Sequence, residues 1–577
     1  MVLAACQPAA TPAAPAAAEP TATTAAAEEP TATEAAAAPT EAAPAEATSA
    51  ATEAAAPSGD FTGLKTEAPD CTYGGEFKSI EAVDASTVKF TLCNPDPAFL
   101  SKVAFDVFGI AKKAELDKQG GDSVKMSDEA IGTGPFTLDN WARGDSVTFK
   151  ANPDYWGGKP AFDTLILKWS TESAQRLLEL QSGQADAIDN VAPEDIDTVN
   201  ADTNLKLLPR DALNVFYIGF NNQIPPFDNE NIRKAFALAI DRQRIVDDFY
   251  PQGSLVAQNF VPPSLTPGFS KDVAWYDYNK EEAKKLLKEA GWVDGTEVKL
   301  SFRNVSRLYL PAPDKIAQDI QQQLAEVGVK VKIEEQESAT FLENTSAGKE
   351  GFYMLGWGAD YPDATNFYDY HFANVAGKLF GKMYDDIAEP LRKAAQTADP
   401  AARQKFYDEA NEKIKEHVPM IPVAHGSSAE AFSASVKNGM TSALNNEPFY
   451  MMDPGKDTLV FVQNGEPAAL FCSDETDGES LRACQQIYEP LMRFKAGTIE
   501  VEPALAESYT VNDDATEYVF TLRQGVKFSD GSILDANDVV ESFVSQWDAK
   551  SPNHKGRTGT FEYFGAFFGK NLNAPAQ

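Results

Sequence analysis

Histidine is the side chain best suited to proton transfer near neutral pH and to metal ligation, and this chain has four: His371, His417, His425 and His554. None stands in a His-x-x-x-His or Glu-paired metal spacing, and no Walker-type phosphate loop or Gly-x-Ser-x-Gly elbow is present. His417 closes an amphipathic stretch, where a cationic side chain suits the C-terminal end of a helix. Carboxylates are abundant, 86 Asp and Glu in all, so pairs of them do not nominate a glycosidase. The chemistry-bearing residues therefore argue against an enzyme, and no cofactor is required.

The elements that would position a site have the grammar of a mixed α/β protein. Asn279 is placed to cap a helix with Glu282 three residues on, Ala283, Leu286, Leu287 and Ala290 forming its apolar face before Gly291 stops it. A second helix carries Ile316, Ile320 and Leu324, ends near Gly328 and hands over to Val329-Lys-Val-Lys-Ile333, whose strict alternation predicts a half-buried strand. A third starts at Asp399-Pro400 and is expected to bury Phe406, Ala410 and Ile414. The apolar run Met420-Ile-Pro-Val-Ala424 then returns as a strand.

The 577 residues, 43% of them hydrophobic, suffice for two or more lobes with sizeable cores. A net charge of −36 and no Lys/Arg cluster disfavour nucleic acid and anionic membrane surfaces as partners. Leu3-Ala-Ala-Cys6 resembles a bacterial lipobox, although the basic and apolar regions of a signal peptide are missing ahead of it. Residues 1–6 are thus expected to be a lipobox remnant with Cys6 lipidated. Residues 7–57, almost all Ala, Thr, Pro and Glu, cannot build a core and are expected to form a disordered tether. Its reach as a coil would be on the order of 40 Å.

Several blocks carry a resemblance. Pro503-Ala-Leu-Ala-Glu-Ser-Tyr509, Tyr518-Val-Phe-Thr-Leu-Arg-Gln-Gly-Val-Lys-Phe-Ser-Asp-Gly531 and Asp535-Ala-Asn-Asp-Val-Val-Glu-Ser-Phe543 resemble the opening signature of the peptide- and nickel-binding solute-binding proteins, family 5, of ABC importers. The stretch that would follow in that family stands near the N-terminus, at Ser79-Ile-Glu-Ala-Val-Asp-Ala-Ser-Thr-Val-Lys-Phe-Thr-Leu92, Gly132-Thr-Gly-Pro-Phe-Thr-Leu138 and Ala151-Asn-Pro-Asp-Tyr-Trp156. The resemblance implies an α/β, two-lobed, periplasmic-binding-protein-like fold (type II, cluster C), circularly permuted. Its parts would be residues 58–263 as the first part of lobe I, 264–424 as lobe II, and 425–577 as the second part of lobe I, normally N-terminal in the family. Crossovers near Pro262-Pro263 and His425-Gly426 would form the hinge. Phe227-Asp-Asn-Glu-Asn-Ile-Arg-Lys-Ala-Phe-Ala-Leu-Ala-Ile-Asp241 resembles another family block, a first-lobe helix, with Arg233 and Asp241 supporting the fold.

What the resemblance implies for function is an extracytoplasmic, lipid-anchored, monomeric protein that captures a short peptide, a dipeptide above all, between its lobes and delivers it to ABC permease subunits. An oligosaccharide, an opine or a nickel chelate would suit the same fold, and a surface receptor without a transport role is a further class. Arg307, in Val305-Ser-Arg-Leu-Tyr-Leu-Pro311, is similar in place to the residue that holds a ligand carboxylate, and Asp360, in Gly356-Trp-Gly-Ala-Asp-Tyr-Pro-Asp-Ala-Thr-Asn-Phe367, to the one that holds its ammonium. A guanidinium fork suits the first and a carboxylate the second, and their separation would measure ligand length. Asp363 is the alternative ammonium partner, and Trp357 and Tyr309 are candidate walls. Asp477, Gly478 and Glu479 lie in Thr476-Asp-Gly-Glu-Ser480, where relatives lay backbone against the peptide as an added strand. With Cys6 assigned to lipid, four cysteines leave three pairings open. Proximity in sequence and the family's small N-terminal loop favour Cys472 with Cys484 and Cys71 with Cys93, free buried thiols being the alternative.

Overall fold

The computed structural model describes residues 61–373 and 379–575. Cys6 and the stretch expected to be a tether, 7–57, lie outside the described residues. The described residues form one compact unit, built on three large sheets and a short two-stranded one.

The sheet of the second lobe has six strands in the order Leu255–Val256, Met420–His425, Asn214–Phe220, Phe352–Gly358, Thr296–Arg303, Val329–Gln336. Asn214–Phe220 is buried at every position, as a strand covered by helices on both faces must be. Val329–Gln336 begins with the alternation of buried and exposed residues that the sequence predicts. The helix Lys280–Glu289 is capped by Asn279, which accepts the Glu282 N–H at 3.0 Å, and Gly291 beyond it adopts a left-handed φ of 77°. The helix Pro400–His417 is capped by Asp399. Its inward stripe is Arg403, Tyr407, Ala410 and Ile414, and Phe406 is half-buried. The expectation for Phe406 is corrected by one position, because the buried salt bridge of Arg403 sets the helix rotation.

Two further corrections concern the lobes. The chain crosses from the seven-stranded sheet to the six-stranded one between Leu205–Arg210 and Asn214–Phe220, at residues 211–213, and not at Pro262-Pro263. Residues 214–263 therefore belong with the second lobe, since their strand is at its centre. The helix Glu230–Ala239 lies in that lobe as well. Its Arg233 is buried and donates to the carbonyls of Phe227, His417 and Val418, closing the C-terminal end of Pro400–His417, while Asp241 caps the next helix by accepting the Arg244 N–H. The return crossing is at residues 426–427, next to the expected His425-Gly426.

The first lobe is woven from both ends of the compact unit. In its seven-stranded sheet, Thr458–Gln463 lies parallel between Thr164–Trp169 and Ala187–Ile188. In its five-stranded antiparallel sheet, Glu517–Leu522 pairs with Thr87–Leu92. Aromatic packing repeats the pattern: the Phe77 ring lies 4.7 Å from Phe568 and 5.8 Å from Phe564, and Phe90 lies 5.0 Å from Phe543. Such pairs add roughly 0.5–1.5 kcal/mol each beyond burial, so the core of this lobe needs residues 77–99 and 520–568 together. The Glu76 N–H donates to the Phe568 carbonyl at 2.8 Å, which brings the C-terminal helix to the start of the first long strand. Cys71 and Cys93 are joined there as a disulfide, their Cα atoms 5.5 Å apart.

Candidate functional site

The two crossing segments run side by side and are locked to each other. Asn214 donates from its amide to the Gly426 carbonyl at 2.7 Å and accepts the Gly426 N–H at 2.8 Å, and His425 Nδ1 meets the Asn214 carbonyl at 2.6 Å. His425 is fully buried, and burial drives its imidazole down to about 4, so it is neutral at physiological pH. Gly426 has no room for a side chain, since a Cβ there would lie 2.3 Å from the Leu308 carbonyl oxygen. The loop bearing Arg307 thus rests directly on the crossing.

That loop joins Thr296–Arg303 to the helix Pro313–Ala325. It is held as a tight turn by reciprocal backbone hydrogen bonds between Arg307 and Leu310, 3.1 and 2.9 Å, and by the Tyr250 hydroxyl donating to the Tyr309 carbonyl at 2.7 Å. Arg307 is half-buried, and its positive charge acts on Glu479 of the other lobe. The Tyr309 ring covers Gly356, where a Cβ would come within 2.2 Å of it, and its hydroxyl accepts from Arg303 at 3.2 Å.

Asp360 follows the strand Phe352–Gly358. Its carboxylate accepts from the Asn366 amide at 2.9 Å and from the Tyr563 hydroxyl at 2.9 Å. Asn366 Oδ1 accepts in turn from the Asp360 backbone N–H and from Trp357 Nε1, both at 3.1 Å. Tyr563 belongs to the helix Glu562–Phe568 of the first lobe, and Tyr361 packs edge-on against Phe567 of the same helix with centroids 4.7 Å apart. Asp360 therefore sits where the lobes meet. Burial pushes its carboxyl up to about 6, against the two hydrogen bonds that favour the charge.

Asp363 has a different role. It caps the helix Ala364–Tyr368 by accepting the Thr365 N–H at 2.9 Å, and Arg403 grips both its oxygens at 2.7 and 2.6 Å. Burial would raise its pKa, but the Arg403 charge and hydrogen bonds hold it below the ordinary value. Asp363 is thus engaged in packing of the second lobe and is not free as an alternative to Asp360. Trp357 stacks on Tyr370, centroids 5.0 Å apart, and meets the edge of His371 at 5.0 Å, which makes it part of an aromatic cluster as well as a neighbour of Asp360 through Asn366.

The segment 476–480 differs from the extended edge expected of it. Asp477 accepts the Ser480 N–H and hydroxyl, both at 2.8 Å, and this cap starts the helix Gly478–Cys484, so Gly478 and Glu479 lie in a helical first turn. A Cys472–Cys484 disulfide, Cα atoms 5.5 Å apart, closes the loop. Burial and the neighbouring Asp477 charge raise the Glu479 carboxyl. Sequence reasoning missed Tyr563, Asn366 and Arg403. Asn366 stands six residues from Asp360 in a quoted motif, but Tyr563 lies 203 positions away, and no spacing rule connects the two.

Two lobes joined by two adjacent crossing strands, with a cation on one loop and a half-buried carboxylate at the meeting surface, define a two-lobed solute-binding protein. The family model described as bacterial extracellular solute-binding proteins, family 5 Middle, matches residues 25–378 and 500–564, and the chain belongs to this family. The dipeptide-binding protein of Escherichia coli (strain K12) is 31% identical over 379 residues, 64% of this chain and 70% of that protein. Di/tripeptide-binding protein 1 of Pseudomonas aeruginosa (strain UCBPP-PA14) is 32% identical over 403 residues, 68% of this chain and 74% of that protein. Among solved structures, the dipeptide binding protein from Pseudoalteromonas sp. SM9913 in complex with Met-Leu aligns with a TM-score of 0.57 at 27% identity, covering 66% of this chain and 75% of that one.

Proposed function

We propose that this protein captures short peptides, dipeptides above all, between its two lobes and delivers them to the permease subunits of an ABC importer. The observation that carries the reading is Asp360: a carboxylate at the junction of the lobes, pushed up to about 6 by burial and held, among the described residues, by the neutral donors Asn366 and Tyr563. An α-ammonium would supply the cation that such a group lacks. Arg307 would take the ligand's carboxylate, and hinge rotation about residues 211–213 and 426–427 would enclose both ends. Micromolar binding of such a ligand would correspond to roughly 8 kcal/mol. Relatives named for dipeptides and tripeptides support the ligand class.

The same reading takes the compact unit as a circular permutation of the family domain. The family model's two matched segments, the pairing of Glu517–Leu522 with Thr87–Leu92, and the contact between Phe568 and Glu76 support it. It takes Cys6 as a lipid anchor and 7–57 as the tether, on the strength of Leu3-Ala-Ala-Cys6 and the Ala/Pro/Thr/Glu composition. The protein would work as a monomer outside the cytoplasm.

A thermal-shift screen with free dipeptides, tripeptides, N-acetylated dipeptides, oligosaccharides, an opine and a nickel chelate tests the ligand. A ligand at about 100 times its Kd stabilises by about 2.7 kcal/mol. A shift with free dipeptides that acetylation abolishes is the expected result; a shift with sugars, opine or chelate alone would replace the ligand and both anchors.

A further inference from the structure

Behind the loop that carries Asp477 and Glu479 lies a set of five ionisable side chains that peptide capture, as described above, does not use. Arg210, Arg482, Asp189, Glu430 and Glu447 are each at most 2% exposed. Arg210 pairs with Asp189 at 2.9 Å, with Glu447 at 3.2 Å, and closely with Glu430. Arg482 pairs with Asp189 at 3.0 Å and with Glu447 at 2.7 Å, so the two arginines share two carboxylates.

Their places in the chain join parts of the molecule that serve binding. Arg210 is the last residue before the crossing at 211–213, and Glu430 lies just after the crossing at 426–427, on the strand Ser428–Ser433. These strands are paired, Ser428 opposite Arg210. Arg482 is on the helix Gly478–Cys484, three residues beyond Glu479. It also donates to Gln463 at 3.3 Å, whose amide donates to the Gly465 carbonyl at 2.9 Å and the Glu479 carbonyl at 3.4 Å. Guanidinium forks bind carboxylates in fixed orientations, and a desolvated network of this kind tolerates little displacement, because a partner removed leaves an unpaired buried charge.

The charge count is consistent with a set geometry. Two guanidiniums face three carboxyl groups. Burial, then the Glu447 charge, pushes Glu430 well above the ordinary range, and its Oε2 has no hydrogen-bond partner among the described residues. Asp189, by contrast, is drawn down to about 2, because Arg482 and Arg210 outweigh its burial, and Glu447 is lowered by the same two charges. The buried Arg176 guanidinium adds a third cation that acts on Asp189.

We propose that Arg482 is a positioning residue for ligand binding. Through Asp189 and Glu447 it fixes the helix that carries Glu479, with its cap Asp477, to Arg210 and Glu430 on the two crossing strands, so the first-lobe wall of the cleft keeps one geometry while the hinge turns. The inference rests on the peptide-cleft reading. Its test separates the two.

The double substitution Arg482→Met with Glu447→Met removes one cation and one anion and leaves the net charge of the set unchanged. It is expected to melt within about 2 °C of the parent, yet to bind a free dipeptide at least about tenfold more weakly by calorimetry. In the absence of ligand its amides at 476–484 should exchange with deuterium faster than the parent's. Arg482→Lys, which keeps the charge without the fork, provides a second variant and should show the same weakened binding and faster local exchange. Parental dipeptide affinity and parental exchange at 476–484 in Arg482→Lys or the double variant would overturn the proposal. Should the parent bind no dipeptide, the peptide reading falls, and exchange at 476–484 alone decides for or against positioning by Arg482.

Discussion

Asp360, the proposed ammonium partner, is kept at some expense to stability. Its folded value of about 6 exceeds the ordinary carboxylate value of about 4, so protonation favours the folded, ligand-free protein. The stability tied to this group is complete below about pH 4 and is lost as pH rises through about 6. Asp360→Asn is therefore expected to be more stable than the parent at pH 7.5, on the order of 2 kcal/mol after allowance for its partial exposure, with no difference at pH 4; chemical denaturation at the two pH values measures this. A bound ammonium reverses the preference, so dipeptide affinity should rise from pH 5 to pH 7, with proton release on binding near pH 6. Asp363→Asn acts otherwise. Removing one charge of a buried pair with Arg403 should lower stability by about 3–5 kcal/mol and leave the pH dependence of binding intact. The sequence motif contains both aspartates, and nothing in their spacing tells the packed one from the available one; the distinction lies in Arg403, 40 residues on.

At the scale of elements, local signals were legible wherever a cap or an alternation decides the outcome. Asn279, Asp399 and the strand at Val329 form as their residue types dictate. The crossing strands were not legible, because Leu205–Arg210 and Asn214–Phe220 are separated by three residues without Gly or Pro, whereas Pro262-Pro263 is a strong turn signal that serves a loop within the second lobe. Segment 476–480 was misread for a related reason: the cap by Asp477 acts over three residues and competes with an extended reading inferred from resemblance. Gly426→Ala tests the close contact between crossing and loop. Its Cβ would meet the Leu308 carbonyl oxygen at 2.3 Å, so the Arg307 turn must shift. Overpacking of this kind costs about 1–3 kcal/mol, and the variant should lose dipeptide affinity as well as melting temperature, read by calorimetry and thermal denaturation.

The whole molecule is one fold drawn from two distant parts of the chain, and the family blocks near both of its ends point to that organisation in the sequence, while the exact lobe boundary was not legible. The proposed permutation makes a structural prediction. Glu76 and Phe568 are hydrogen-bonded neighbours, and Gly455 lies in an exposed turn with a φ of 72°. A rearranged chain opened at Gly455, with residue 575 linked to residue 61, should therefore fold and melt close to the parent. An insoluble product, or separate melting of the two parts, would contradict the permuted reading.

The central claim is recognition of both charged ends of a short peptide, and calorimetric titration of one dipeptide in three forms, free, N-acetylated and C-amidated, tests it most directly. The account predicts micromolar binding of the free form and a loss on the order of 100-fold for each blocked form, about 2.7 kcal/mol per lost charge pair, with Asp360→Asn erasing the penalty for acetylation and Arg307→Met that for amidation. Equal affinity for all three forms, or no binding of any, would contradict it.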